Sequence, residues 1–389
     1  LALLLVSCAL WHVIRLHQID YYRRHNISRP SPGIIFPEMT IAKMDEKILN
    51  LLKCIANYTF YKIGLEMCFC VTLVAACLRV DALSVLYLLL MLAFVFTPRE
   101  ICARLWVPYM VLLGFLIVVQ YVACIGFPSE IASKLPWESS DEEIIRLQQW
   151  LSWPSMSYKP EVRKLSVDFL QYIFVAMQYQ VFKLEQRPDW EDYGGGSNNP
   201  ILSNPLPRPE DRDFISTKES YLDYLRHGIF YWSYWLSLAI VLATGVSWIT
   251  LFCLGYMILS FIYLWMGQNV MMRKRANLVA SWNVIIGYTF CVILAKCALQ
   301  LMGCVYANRF VGHRSCWLMQ LFGVTCMNPV GWNSYVAIDQ DVGCETVSNG
   351  LHWDVVCFIV IIFQRKIFTS DSFRQVVFDL NVQSRFASR

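Results

Sequence analysis

Fifteen cysteines and a thin scatter of charges set into apolar sequence are the residues of this chain that could do chemistry. Position divides the cysteines. Cys8, Cys68, Cys70, Cys77, Cys124, Cys253, Cys291, Cys297 and Cys357 fall in apolar runs, where a thiol is a small apolar filler. Cys54 and Cys102 are expected to face a reducing cytosol. Cys304, Cys316, Cys326 and Cys344 share one loop between two apolar runs. An even count in a loop on an oxidising face favours two disulfides, and four cysteines allow three pairings. Zinc is the competing reading. The spacings are wide and no Cys-x-x-Cys pair occurs, so no metal site is expected.

The charges within apolar runs have structural readings. Lys62 and Glu66 stand four apart and can pair on one helix. Lys296 stands about a turn from the expected end of its helix and can snorkel outward. Asp168 and Asp354 fall at expected helix starts, where a carboxylate suits the positive end of the dipole. No run carries arginine at every third position, and no glycine-rich filter or polar helix face looks like a pore lining. The six histidines are scattered, with no His-x-x-x-His or Glu-x-x-His pair. No catalytic residue, no cofactor and no enzymatic activity are expected. Arg273, Lys274 and Arg275 stand between two apolar runs, with Met271 and Met272 before them and Leu278 after. They are candidates for contact with anionic lipid headgroups.

A membrane must position these residues. Hydrophobic residues make up 57% of the 389 and charged residues 16%, against about 25% charged in soluble domains. Mean hydropathy is +0.43. Nine spans are expected, near 1–19, 59–78, 82–96, 105–126, 165–186, 229–247, 249–266, 279–301 and 351–368. The run 82–96 is short for a crossing, and 165–186, which carries Asp168, Gln171, Gln178 and Gln180, reads either as a span or as a buried amphipathic helix. Arginine and lysine cluster in alternate loops, at 23–29, 99–104, 273–275 and 365–366. That makes those loops cytosolic and the loop 302–350 extracellular. The net charge of +4 is therefore a topology signal, and no nucleic-acid partner is expected. Two segments, 41–58 and the stretch bearing Phe373, Val376, Val377 and Leu380, have the spacing of in-plane amphipathic helices. The sequons at Asn26 and Asn57 fall on the cytosolic side and should stay unmodified.

The chain repeats itself. Asp168, Gln178 and Phe182 share their internal spacing with Asp354, Gln364 and Phe368. Trp106 and Gln120 likewise match Trp282 and Lys296. The expected fold is all-α and integral to the membrane, built from tandem four-helix units. Residues 1–19 would be the last span of a preceding unit. Residues 41–186 would be one unit and 216–369 the next, with a flexible cytosolic linker over 187–215. Residues 370–389 would be a cytosolic interfacial segment. The linker's Gly194-Gly195-Gly196 and its five prolines cannot sustain a helix. A start inside an apolar run without Met implies a piece of a longer protein.

One motif is more specific than composition. It runs Cys304-Val305-Tyr306, Ser315-Cys316-Trp317-Leu318-Met319-Gln320, Cys326, Cys344, Trp353-Asp354-Val355-Val356-Cys357-Phe358 and Gln364-Arg365-Lys366-Ile367-Phe368. In this order it resembles the Piezo family of mechanically gated cation channels, in the arm just before the long cytoplasmic beam helix. The resemblance implies a tension-sensing arm of a non-selective cation channel in the plasma membrane. It also implies a pore outside this chain, membrane lipids as partners and a homotrimeric whole. A secondary transporter is the alternative, but nothing resembles paired broken helices at mid-membrane. A multi-span membrane transferase is another, but it would need an intramembrane cluster of His, Asp or Glu.

Overall fold

The computed structural model describes residues 2–25, 36, 47–125, 141–152, 162–186, 221–305, 316–324, 326–327, 334–335, 350–370 and 372–387. Among these, a helix stands at each of the nine expected positions. They are α1 (Ala2–Arg24), α2 (Ile48–Arg79), α3 (Ala82–Val95), α4 (Arg99–Ile125), α6 (Val162–Glu185), α7 (Tyr221–Ser247), α8 (Leu251–Met266), α9 (Arg275–Cys304) and α11 (Leu351–Thr369). Shorter helices are α5 (Glu142–Trp150), α10 (Cys316–Phe322) and α12 (Ser372–Ala387). The only strands among the described residues form a two-residue antiparallel ladder pairing Cys326 with Tyr335 and Met327 with Ser334. Among the described residues, five segments are long and apolar enough to cross a membrane: Ile48–Arg79, Arg99–Ile125, Asp223–Ser247, Leu251–Val270 and Arg275–Gly303. At a rise of about 1.5 Å per residue, the 14 residues of α3 reach only about 21 Å.

Local chemistry fixes where the helices begin and end. Val80, in the left-handed region at φ 53°, ends α2. Asp81 then caps α3 by accepting a bond from the Ser84 backbone N–H. Thr250 caps α8 through Cys253 in the same way. Gly350, at φ 62°, turns the chain into α11. Its missing side chain also makes room for the Trp248 indole, which a Cβ there would overlap.

The helices pack in two sets with the same pairings. In the first set α2 lies against α3 and α6, and α6 against α4. In the second, α7 lies against α8 and α11, and α11 against α9. The sets meet where α2 contacts α11 and α3 contacts α9. One continuous apolar core runs through both. The outward faces stay apolar too: Val111, Phe115, Val118 and Val122 of α4 are exposed, as are Trp232 and Leu236 of α7. That is the pattern of helices solvated by lipid.

Two expectations change. The described part of the in-plane segment, from Ile48, is not a separate helix but the first turns of the 32-residue α2. No proline interrupts it, and Gly64 is tolerated in a helix interior. Asp168 does not start a helix. α6 begins at Val162, so Asp168 lies beyond the first turn and the dipole is not what holds it. The stretch near Phe373 is a helix, α12, docked on α7 and α11. The linker 187–215 lies outside the described residues.

Candidate functional site

Each helix set holds a buried polar centre near its Asp81 or Thr250 end. In the first set the Arg79 guanidinium reaches three elements. Its Nη2 donates to Asp81 Oδ2 at 2.9 Å, and its Nη1 donates to Gln120 Oε1 of α4 at 2.7 Å and to Asp168 Oδ2 of α6. Asp81 Oδ2 also accepts from Lys164 Nζ at 3.3 Å and Ser152 Oγ at 2.8 Å. Two cations thus face two carboxylates, all nearly excluded from solvent. The Arg79 head also lies 5.9 Å from the centre of the Tyr87 ring. Burial pushes the Asp81 carboxyl up. Arg79 and Lys164 outweigh that and hold it below the usual carboxylate range.

The second set balances one charge with one. Lys296 Nζ of α9 lies 2.5 Å from Asp354 Oδ2 of α11, and each side chain is 1% exposed. Snorkelling fails for Lys296 because α9 continues to Cys304, which leaves its backbone about 12 Å short of the helix end, while its amine is buried against Asp354. Asp354 does sit in the first turn of α11, as expected. Tyr87 of α3 faces Asp168, and Tyr256 of α8 faces Asp354. Each tyrosine is fully buried and stands six residues after its helix cap.

Between the aspartates and the opposite end run further matched contacts. The Trp106 indole donates to the Val175 carbonyl and the Trp282 indole to the Ile361 carbonyl, both at 2.9 Å. Trp106 stacks edge-on against Phe182 and Trp282 against Phe368. Gln178 and Gln364 are both buried. Gly64 lets α2 approach α6, since a Cβ there would stand 2.5 Å from Oε1 of the Gln178 side chain.

Glu66 was expected to pair with Lys62. It instead meets Lys366 of the other set at 3.1 Å, because α11 crosses α2 at that level. Arg99, which sequence assigns to topology alone, joins α4 to α6 through Glu185 at 2.6 Å. The Asn57 side chain is buried and engaged both ways with the Phe36 backbone, at 2.9 and 3.0 Å. Asn26 lies outside the described residues.

The four loop cysteines are placed only by backbone. Cys304 ends α9, Cys316 opens α10 and Cys326 lies in the short ladder, while Cys344 lies outside the described residues. Arg273 and Lys274 are exposed and Arg275 is half-buried, where a short 3₁₀ turn over Gly267–Val270 gives way to α9. Arg273 donates to the Met266 sulfur at 3.4 Å. The first turn of α9 holds no acidic residue, so cations crowd the positive end of a helix dipole.

The Arg79 network was hidden in sequence because Arg79 reads as part of a tight turn. Lys296 and Asp354 carried a usable signal. They stand at the positions of Gln120 and Asp168 in the repeat, on helices adjacent in each set.

Comparison with known proteins agrees with this architecture. A family model described as Piezo TM25-28 matches residues 206–389. The chain is 31% identical over 379 residues to Piezo-type mechanosensitive ion channel component 1 of Homo sapiens, covering 95% of this chain. It is 28% identical over 382 residues to Piezo-type mechanosensitive ion channel component of Drosophila melanogaster, covering 93% of this chain. The chain spans about 15% of the length of each.

Proposed function

Because the chain belongs to the Piezo family, we propose that it is a membrane-embedded, tension-sensing segment of the arm of a mechanically gated, non-selective cation channel whose pore lies elsewhere. The observation that carries this reading is the pair of helix sets with matched packing and matched buried centres. Tension favours whichever packing occupies more membrane area. A row of similar helix sets that tilt against one another supplies such a choice of packings.

In this reading residues 41–186 and 216–369 are tandem four-helix units, and α1, the first of nine spans, is the last span of a preceding unit. The segment 187–215 is a cytosolic linker, and 370–389 leads on along the cytosolic face. The protein resides in the plasma membrane as a homotrimer, with loop 302–350 outside. Alternation of basic loops along the helices supports this sidedness. Cys304, Cys316, Cys326 and Cys344 form two disulfides there. Arg273, Lys274 and Arg275 lie at the cytosolic leaflet, where an anionic headgroup relieves their repulsion from the α9 dipole.

Pressure-clamp recording of the full-length protein tests the reading. A stretch-activated cation current that is lost when 41–369 is deleted, with surface abundance retained, is the expected result. A current that survives the deletion with unchanged pressure sensitivity overturns it.

A further inference from the structure

The two helix sets are joined at the Val95 end by one pair of adjacent cations. Arg365 Nη1 donates to the Val95 carbonyl at 3.1 Å. Lys366 Nζ lies 3.1 Å from Glu66 Oε1. Both partners belong to the first set, and both cations to α11 of the second. Val95 is the last residue of α3, and the final carbonyls of a helix have no intrahelical partner and carry its negative end. Arg365 therefore serves as a cap supplied from another helix set. The carbonyl and the carboxylate lie on different helices, α3 and α2, so the pair fixes an orientation as well as a contact.

The repeat adds a second, independent observation. In the spacing that matches Asp168 to Asp354 and Phe182 to Phe368, Arg365 and Lys366 correspond to Tyr179 and Gln180. Neither can form an ion pair. The basic pair is thus no part of the common four-helix pattern, and its described contacts serve only the joint between the sets. The other contacts there, α2 with α11 and α3 with α9, belong to a continuous apolar core. Apolar contacts resist separation but fix angle poorly, whereas two adjacent cations, each held by an acceptor on a different helix, have a narrow range of joint geometry.

We infer that Arg365 and Lys366 form a polar clasp that holds the second helix set at a fixed angle to the first and sets the tension at which the joint yields. The clasp stabilises the close packing and is lost when the sets splay at this end. Splaying increases the membrane area occupied, so tension and the clasp act in opposition. This inference rests on the reading of the chain as part of a tension-sensing arm.

The test uses the full-length protein under pressure clamp, with the variants Glu66→Lys, Lys366→Glu and the double exchange. Each single reversal is expected to lower the pressure for half-maximal current, shifting the packing equilibrium about fivefold. The double exchange is expected to return it toward the wild-type value. Single reversals that leave the pressure unchanged, or a double exchange no closer to wild type than either single, overturn the clasp. Loss of stretch response in the wild type itself would instead overturn the proposed function. Should the reversals fail to reach the surface, Lys366→Gln and Glu66→Gln in the detergent-solubilised full-length protein give a thermal double-mutant cycle. Additive losses in that cycle count against the clasp, and a coupled loss supports it.

Discussion

Trp106 and Trp282 make the same hydrogen bond. Each indole donates at 2.9 Å to a backbone carbonyl of the fourth helix in its set, Val175 in one and Ile361 in the other. Those carbonyls each stand seven residues beyond a buried aspartate, Asp168 or Asp354. A helix carbonyl already accepts from within its helix, so the indole takes the second lone pair and locks third helix to fourth without breaking the backbone ladder. Trp282→Phe keeps a ring against Phe368 but loses the donor and part of the ring volume at a fully buried site. The expected loss is at least about 1 kcal/mol, the hydrogen bond plus the cavity, read as a lower thermal midpoint of the solubilised full-length protein. An unchanged midpoint would count against both contributions.

Lys296→Met should be far more damaging. It leaves the Asp354 carboxylate buried without its cation, at a cost of about 3–5 kcal/mol. Lys296→Met combined with Asp354→Leu removes both charges and should recover most of that loss. Thermal midpoints and surface abundance of the three proteins check this. A double variant worse than the single would mean that the pair does more than neutralise itself.

The Asp81 turn should be acid-labile. Its carboxyl is held below the usual range, so it binds protons less readily folded than unfolded. Its contribution is present above the ordinary carboxylate range and is lost as pH falls through the lowered value. Asp81→Asn should lower stability near neutrality and flatten the decline below about pH 5, leaving the slope between neutrality and that point unchanged. The readout is the thermal midpoint across both ranges, and an unaltered decline in the acid range would remove Asp81 from the account.

Four cysteines, Cys304, Cys316, Cys326 and Cys344, should appear as two disulfides in non-reduced peptide maps of protein taken from the cell surface. Recovery of four free thiols would refute the pairing and, with it, an oxidising face for that loop.

Changing Arg273, Lys274 and Arg275 together to Gln should weaken preference for anionic vesicles by at most roughly 3 kcal/mol, less as salt is raised. Co-sedimentation of the reconstituted full-length protein with vesicles of graded phosphatidylserine content measures it. If orientation is kept and the preference does not change, the cluster sets topology only.

The helix positions and the matched residue spacings were legible in the sequence because both are one-dimensional signals. Apolar runs near 20 residues and matched spacings such as Asp168–Gln178–Phe182 survive on a single line of sequence. Partner identities did not. Glu66 reads as a neighbour of Lys62 because helical spacing is local, yet its partner Lys366 is brought in by α11 crossing α2. Arg79 reads as a turn residue because nothing local says that α4 and α6 converge on it. The depth of Lys296 depended on where α9 stops, and helix ends are weakly marked where no Gly or Pro interrupts the run.

The cation that answers the buried aspartate has a different address in each set. In the first it is Arg79 on the first helix, and the third-helix position holds the neutral Gln120. In the second the third helix itself carries the charge as Lys296. The two sets are therefore alike as wholes but not interchangeable by parts. Grafting α4 in place of α9 would strand Asp354 without a counter-charge, and the reverse graft would add a third cation to a centre that already holds Arg79 and Lys164. An exchange between the sets keeps the charges balanced only when the helix bearing the cation moves together with the helix bearing the aspartate.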